Sequence, residues 1–152
     1  MSSAAHYRAR RSWSAERPST LVVCCSDGRW HAQIEEFVEH EVDERADLFA
    51  VPGGAAVVDP WNSSFDEARV FDSAMRVFVE HHDLRAVWLI SHQDCAYYKR
   101  RHPELDERGR LARQRADLLR AAQLLRERHA HLEPRCVHAA LHEGAVVFEP
   151  VG

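Results

Sequence analysis

The sequence predicts an α/β fold: a three-layer sandwich with a mainly parallel sheet in the order 2-1-3-4 and an antiparallel fifth strand at its edge. Two observations carry this expectation. Short β-branched runs alternate with longer stretches whose apolar residues recur at helical spacing. The last two runs are separated only by His142-Glu143-Gly144, a tight turn that makes them a hairpin.

The first run, Thr20-Leu21-Val22-Val23-Cys24-Cys25, reads as a buried strand. Ile34, Phe37, Val38 and Val42 follow at helical spacing. Leu48-Phe49-Ala50-Val51 reads as a second strand, ended by Pro52-Gly53-Gly54. A second helix is predicted to begin near Asn62 or Ser63, both good caps, with a stripe of Phe65, Ala68, Phe71, Met75, Phe78 and Val79. Ala86-Val87-Trp88-Leu89-Ile90 is a third buried strand. A long third helix carries Leu111, Leu118, Ala122 and Leu125 on one face, and its arginines read as a solvated face. Cys136 to Leu141 reads as the fourth strand and Val146 to Glu149 as its hairpin partner. Right-handed crossovers restrict the topology. In such sheets ligands sit beyond the carboxyl ends of the strands where the winding reverses. In the 2-1-3-4 order that point lies between the first and third strands.

A chain of 152 residues is long enough for one domain with a proper core. Residues 1–19 read as an N-terminal arm and 20–152 as the single folded domain. The arm holds Arg8, Arg10, Arg11 and Arg17, but no apolar stretch follows Arg10-Arg11 as an export signal would require. No apolar run approaches the roughly 20 residues of a membrane span. The formal charge of −4 gives no whole-chain support for nucleic-acid binding. Neither a membrane nor a nucleic-acid partner is therefore expected. Cys24, Cys25, Cys95 and Cys136 read as reduced thiols rather than a disulfide framework, which fits a cytoplasmic protein. Adjacent Cys24 and Cys25 point to opposite faces of a strand. Cys24 and Cys136 are assigned to the core, and Trp88, Tyr97 and Tyr98 to packing.

The chemistry-bearing residues cluster around the predicted switch point. Cys25 stands at the carboxyl end of the first strand, His92 just past the end of the third, and Cys95 three residues later. In His92-Gln93-Asp94-Cys95 one turn of chain can present both side chains to a single ion. Two thiolates and an imidazole leave one tetrahedral position open, as in a catalytic zinc site. No second His-x-x-Cys or Cys-x-x-Cys pair supplies a fourth ligand. Asp27 and Arg29 follow Cys25 at two-residue steps, and a bidentate pair would keep the carboxylate ionised. Asp27 then has two open roles: to accept a hydrogen bond from a hydroxide at the vacant position, or to move onto the metal and fill it. A plain surface ion pair is the blander reading of the same residues. Gly53-Gly54 reads equally as a turn or as a close backbone approach. By loop position, Val51, Gly53, Gly54 and Ala55 are candidate walls of a substrate pocket.

Cys25-x-Asp27-x-Arg29 followed by His92-x-x-Cys95 resembles the two-part signature of the β-carbonic anhydrases, over roughly residues 20–150. The resemblance implies one zinc ion (Zn2+) per chain on Cys25, His92 and Cys95, with Asp27 and Arg29 as a gatekeeping pair. It implies reversible hydration of carbon dioxide to bicarbonate by at least a homodimer. The sequence departs from the pattern at Val51-Pro52-Gly53-Gly54, where the family commonly has Arg-Asn-Ala-Gly. It departs again at Ala96, followed by Tyr97 and Tyr98, where glycine is usual. The altered 51–54 loop leaves two further readings open: a hydrolase of carbonyl sulfide or carbon disulfide at the same site, and a zinc-binding homologue without catalysis. A phosphatase loop fails on spacing, because Arg29 is four residues from Cys25 and five from Cys24. A Cys-x-x-Cys redox pair is absent.

Overall fold

Five strands form one sheet in the order β2-β1-β3-β4-β5. They are β1 (Thr20–Cys24), β2 (Asp47–Ala50), β3 (Ala86–His92), β4 (Glu133–His142) and β5 (Ala145–Pro150) in a computed structural model that describes residues 6–42 and 45–152. The pairs β1–β2, β1–β3 and β3–β4 are parallel, and β4–β5 is antiparallel. The predicted sheet order and edge hairpin are therefore those observed. Helices lie on both faces: α1 (His31–Phe37) on one, α2 (Phe65–His82) and α4 (Glu107–Arg128) on the other, with a short α3 (Ala96–Arg101) after β3.

The two faces of the sheet bury alternate residues of each strand, as a period of two requires. Leu21, Val23, Val87, Leu89 and Cys136 pack with Phe71 and Met75 of α2 and Leu118, Ala122 and Leu125 of α4. Val22, Cys24, Ile90, Val137 and Ala139 pack with Trp30 and Ile34 on the opposite side. The strands β1 and β3 are covered from both sides, so their sequences read as continuous apolar runs. Cys24 is 1% exposed. All four cysteines are free thiols.

Several boundaries differ from the sequence reading, each for a local reason. The cap of α2 is Ser64, not Asn62 or Ser63: its Oγ accepts from the Glu67 backbone N–H at 3.2 Å and donates to Glu67 Oε2 at 2.8 Å. Ser63 is engaged with the Asp59 carbonyl, and Asn62 donates to the Asp117 carboxylate. Phe65 is 63% exposed and leaves the predicted stripe; its ring packs edge-on against Trp61 instead. The strand β4 starts earlier than expected, at Glu133, and runs through Pro134. Glu133 N–H donates to Arg85 on the β3 side, so the proline nitrogen faces the other way, where β5 pairs only from Val137 onward. The helix α3 has six residues, too few for an apolar period to show. The first helix continues past Phe37 as a π-helical turn over Val38–Val42.

Residues 6–18 contain no helix or strand. Arg11 pairs with Glu35 and Glu39 of the first helical segment at 2.7 and 2.8 Å, tying this arm to the body through exposed ion pairs. Residues 1–5 of the predicted arm lie outside the described residues. No helix among the described residues is long and apolar enough to cross a membrane.

The end of β1 is held by the segment after β2. Val51 N–H donates to Cys24 O at 3.2 Å, Ser26 N–H donates to Val51 O at 3.1 Å, and Gly54 N–H donates to the same carbonyl at 2.9 Å. Gly54 adopts φ +54°, and a Cβ there would lie 2.8 Å from Cys24 C and 2.9 Å from Cys25 N. Only glycine lets this loop lie against the strand end. Gly54→Ala is expected to destabilise the fold by roughly 2–4 kcal/mol from overpacking and left-handed strain. Gly28→Ala, where a Cβ meets nothing within 4 Å, should be near neutral. Urea unfolding of the two variants beside wild type checks this, and equal midpoints would refute it.

Candidate metal centre

The adjacency of β1 and β3 in register, Cys24 opposite Ile90, delivers Cys25 and His92 to the same end of the sheet. Cys25 lies one residue past β1, and His92 is the last residue of β3. Asp94 then takes φ +59°, a left-handed conformation that turns the chain back and makes Cys95 the N-cap of α3. The result is a cluster: the ligand atoms of Cys25, His92 and Cys95 all lie within 4.8 Å of one another. The two sulfurs are 4.0 Å apart. The three residues are 8%, 2% and 4% exposed, respectively.

The imidazole is oriented for ligation. His92 Nδ1 lies 2.7 Å from the Gln93 carbonyl, which can only accept, so Nδ1 carries the proton. Nε2 is left buried with no hydrogen-bond partner. Trp30 covers the ring, with centroids 5.1 Å apart. Gln114 of α4 donates to the His92 carbonyl at 2.9 Å and anchors the end of β3. A buried orphan nitrogen facing two sulfurs fits a zinc ion with two thiolate ligands, one imidazole and one position to spare.

The two thiols are driven apart electrostatically. Cys25 is lowered, first by its hydrogen bond with Cys95, against burial, and then by the backbone amides of Gly53 and Asp27. Cys95 is raised, by the same bond to the Cys25 sulfur and by burial. The two sulfurs, 4.0 Å apart, thus share a proton and titrate as a pair. Cys24 and Cys136 are pushed up to about 12 and about 11 by burial, as befits core thiols.

Asp27 and Arg29 flank this cluster. Arg29 Nε lies 3.1 Å from both Asp27 carboxylate oxygens and Nη2 lies 2.7 Å from Oδ2, while the Arg29 backbone N–H donates to Oδ1 at 3.0 Å. These bonds hold the Asp27 carboxyl down at about 2. Arg29 also reaches Asp94, which the sequence reading passed over because a lone aspartate inside a metal motif carries no spacing signal of its own.

The four candidate pocket-wall residues have different surroundings. Gly54 faces the backbone of β1, and the ring of Tyr97 lies 2.5 Å from where a Gly53 Cβ would stand. Ala55 is buried in the core, and Val51 lines a separate cavity of about 290 Å3 with Phe49, Pro52 and Val70. The cavity beside the cluster measures about 700 Å3 and includes Arg29, Trp30, Cys95, Tyr98, Gln114 and His138 among its walls. Behind Tyr98, which lines this cavity, lies a polar network: Tyr98 donates to Asp117 Oδ2 at 2.9 Å, and Arg113 pairs with Oδ1 at 3.0 Å. Burial raises both the Tyr98 hydroxyl and the Asp117 carboxyl. Gln114, Asp117 and His138 were invisible in the sequence as site residues, since each sits among ordinary helix or strand positions.

No protein-family model and no curated protein matches this chain. Solved structures do resemble it. One of two tetrameric β-carbonic anhydrases from the filamentous ascomycete Sordaria macrospora superposes with a TM-score of 0.57 and 14% identity, over 88% of this chain and 81% of the other. The β-carbonic anhydrase CafA of Aspergillus fumigatus gives 0.58 and 11%, over 90% and 77%. The β-carbonic anhydrase CcaA gives 0.58 and 15%, over 90% and 85%. This chain has the β-carbonic anhydrase fold. At 11–15% identity the fold is what is shared. The β-carbonic anhydrase fold accounts for the sheet order and for the meeting of the ends of β1 and β3.

Two measurements test the electrostatics of this centre. The hydrogen-bonded thiol pair shares a proton, and zinc takes both sulfurs as thiolates, so uptake of the ion releases that proton. Zinc affinity, measured by competition with a chelator, should therefore rise about tenfold per pH unit around pH 7; a flat profile would refute the assignment. His138 is lowered from 6.5 to about 4, first by burial and then by Arg115. Between those values the unfolded chain binds a proton that the fold refuses, so stability falls as pH drops from about 6.5 to about 4 and levels off below. The loss is on the order of 2–3 kcal/mol. His138→Gln should remove that part of the pH dependence in denaturant titrations.

Proposed function

We propose that this chain is a zinc-dependent carbonic anhydrase that hydrates carbon dioxide reversibly to bicarbonate, with one zinc ion per chain. The observation that supports it most is the convergence of two buried sulfurs and a partnerless imidazole nitrogen, with an ionised carboxylate alongside. Cys25, Cys95 and His92 Nε2 would hold the ion. Bound zinc supplies Lewis acidity that makes water a nucleophile near neutral pH, more weakly with two thiolates than with three imidazoles.

The chain's own residues do the rest. Asp27, held ionised by Arg29, accepts a hydrogen bond from the attacking water and orients its lone pair. Trp30 shields the imidazole, and the neighbouring cavity gives a small linear substrate access to the Cys95 side of the cluster. Burial disfavours the imidazolium form of His138; His142, exposed on the cavity wall, is placed to pass a proton to solvent.

A homo-oligomer belongs to this reading. Leu48 on the edge strand β2, together with Trp61, Phe65 and Val70, leaves large apolar side chains in water that a second copy would cover. The four free thiols favour a cytoplasmic setting.

Stopped-flow hydration assays of the zinc-loaded protein test the proposal. Wild type should turn over carbon dioxide, and Asp27→Asn should keep its zinc while losing about a hundredfold in kcat. A zinc-loaded wild type without turnover between about pH 6 and pH 9 would overturn the catalytic reading. Sulfide release from carbonyl sulfide in place of hydration would move the assignment to the related hydrolases.

A further inference from the structure

Arg29 is shared between two carboxylates. Its Nε and Nη2 hold Asp27, while Nη1 donates to Asp94 Oδ2 at 3.1 Å and Nη2 donates to the Asp94 carbonyl at 3.1 Å. The other Asp94 oxygen, Oδ1, pairs with Lys99. The planar guanidinium is therefore gripped along both edges, by residues that approach from two different loops. Asp94 can do this because it adopts φ +59°, a conformation unfavourable for most residues with a Cβ and tolerated by aspartate. That turn sends its carbonyl and carboxylate back toward Arg29. The following helix α3 then brings Lys99 up to the free oxygen. Lys99 is the only lysine in the chain. A lysine takes one oxygen as a point charge, whereas an arginine would compete for both.

Stability is a poor explanation for this network. Arg29, Asp94 and Lys99 are 60%, 46% and 49% exposed at their side chains, and exposed pairs contribute little to folding. Its effect is on orientation. Asp27 is not part of the three-ligand cluster, and the chain that holds it there runs Lys99–Asp94–Arg29–Asp27.

We infer that Asp94 is a positioning residue: with Lys99 it clamps Arg29 and thereby keeps Asp27 clear of the metal ligands. Without the Asp94 carboxylate, Arg29 loses its Nη1 partner and its link to Lys99, and only the Asp94 carbonyl still holds it from that side. Arg29 and Asp27 then swing as a unit, and the Asp27 carboxylate is free to join Cys25, His92 and Cys95 on the ion. The inference rests on the metal reading above, and its test separates the two.

The experiment loads wild type, Asp94→Gly and Asp94→Gly/Asp27→Asn with cobalt(II) in place of zinc and compares their visible spectra. Glycine keeps the left-handed turn and its carbonyl while removing the carboxylate that links Lys99 to Arg29. The ligand-field bands should shift in Asp94→Gly as a carboxylate enters the coordination sphere, and return to the wild-type pattern in the double variant. In the zinc-loaded protein, kcat should fall about tenfold at unchanged metal content, the effect of losing one charge-assisted hydrogen bond. An unchanged spectrum, or a shift that persists in the double variant, overturns the inference. Lys99→Met leaves the 92–95 turn intact and should shift the bands in the same direction by less; if Asp94→Gly does not fold, absence of that shift overturns the inference. A wild type that binds cobalt but hydrates no carbon dioxide defeats the catalytic reading alone, and the spectra still decide the clamp. A wild type that binds no cobalt overturns both.

Discussion

The parallel pairing of β1 with β3 is the constraint on which the rest of this molecule depends. Cys24 lies opposite Ile90, so the chain leaves both strands at one end of the sheet with Cys25 and His92 side by side. A shift of one residue would flip the side chains of β1 between the two cores and turn Cys25 away from His92. That register is enforced from both faces, because Leu21 and Val23 are buried against α2 and α4 while Val22 and Cys24 are buried against α1. Gly54 seals the strand end from the side by lying directly on the backbone of Cys24 and Cys25. The geometry of the cluster is thus a by-product of core packing some distance below it.

Above the sheet the organisation is electrostatic. A buried thiol pair shares a proton, and a single arginine distributes its donors between two carboxylates on different loops. The two arrangements differ in environment. The sulfurs and the imidazole are buried, where each unpaired polar atom is costly and a partner is demanded. The Arg29 network is half in water, where individual pairs are weak and geometry matters more than strength. A buried Cys25-His92-Cys95 group able to hold a metal thus lies beside a carboxylate whose position is set by a half-exposed arginine network.

Much of this was legible in the chain. The runs Thr20 to Cys25 and Ala86 to Ile90 are apolar without alternation, which is the mark of strands covered on both faces, and the alternation with helical periods implied parallel pairing. The candidate ligands Cys25, His92 and Cys95 were legible because ligand chemistry restricts residue type and because both halves of the motif sit at predicted strand ends. What failed did so for identifiable reasons. Three consecutive residues capable of capping, Asn62, Ser63 and Ser64, compete at the start of α2, and the choice was settled by the partners Asp117 and Asp59 elsewhere in the fold. Gly53-Gly54 reads in the sequence equally as a turn or as a close backbone approach; in the fold the β1 backbone lies against Gly54 and the Tyr97 ring against Gly53.

The sequence by itself determined the alternation of elements, the two-sided burial of the central strands and the identity of the metal-ligating residue types, because these follow from local periodicity and from chemistry carried by single side chains. Only the tertiary structure decided which polar groups meet. The sharing of Arg29 between Asp27 and Asp94, the empty hydrogen-bonding valence on His92 Nε2 and the walls of the neighbouring cavity all depend on distances between residues far apart in the chain. Spacing along a sequence says nothing about such distances until the register of the sheet is set.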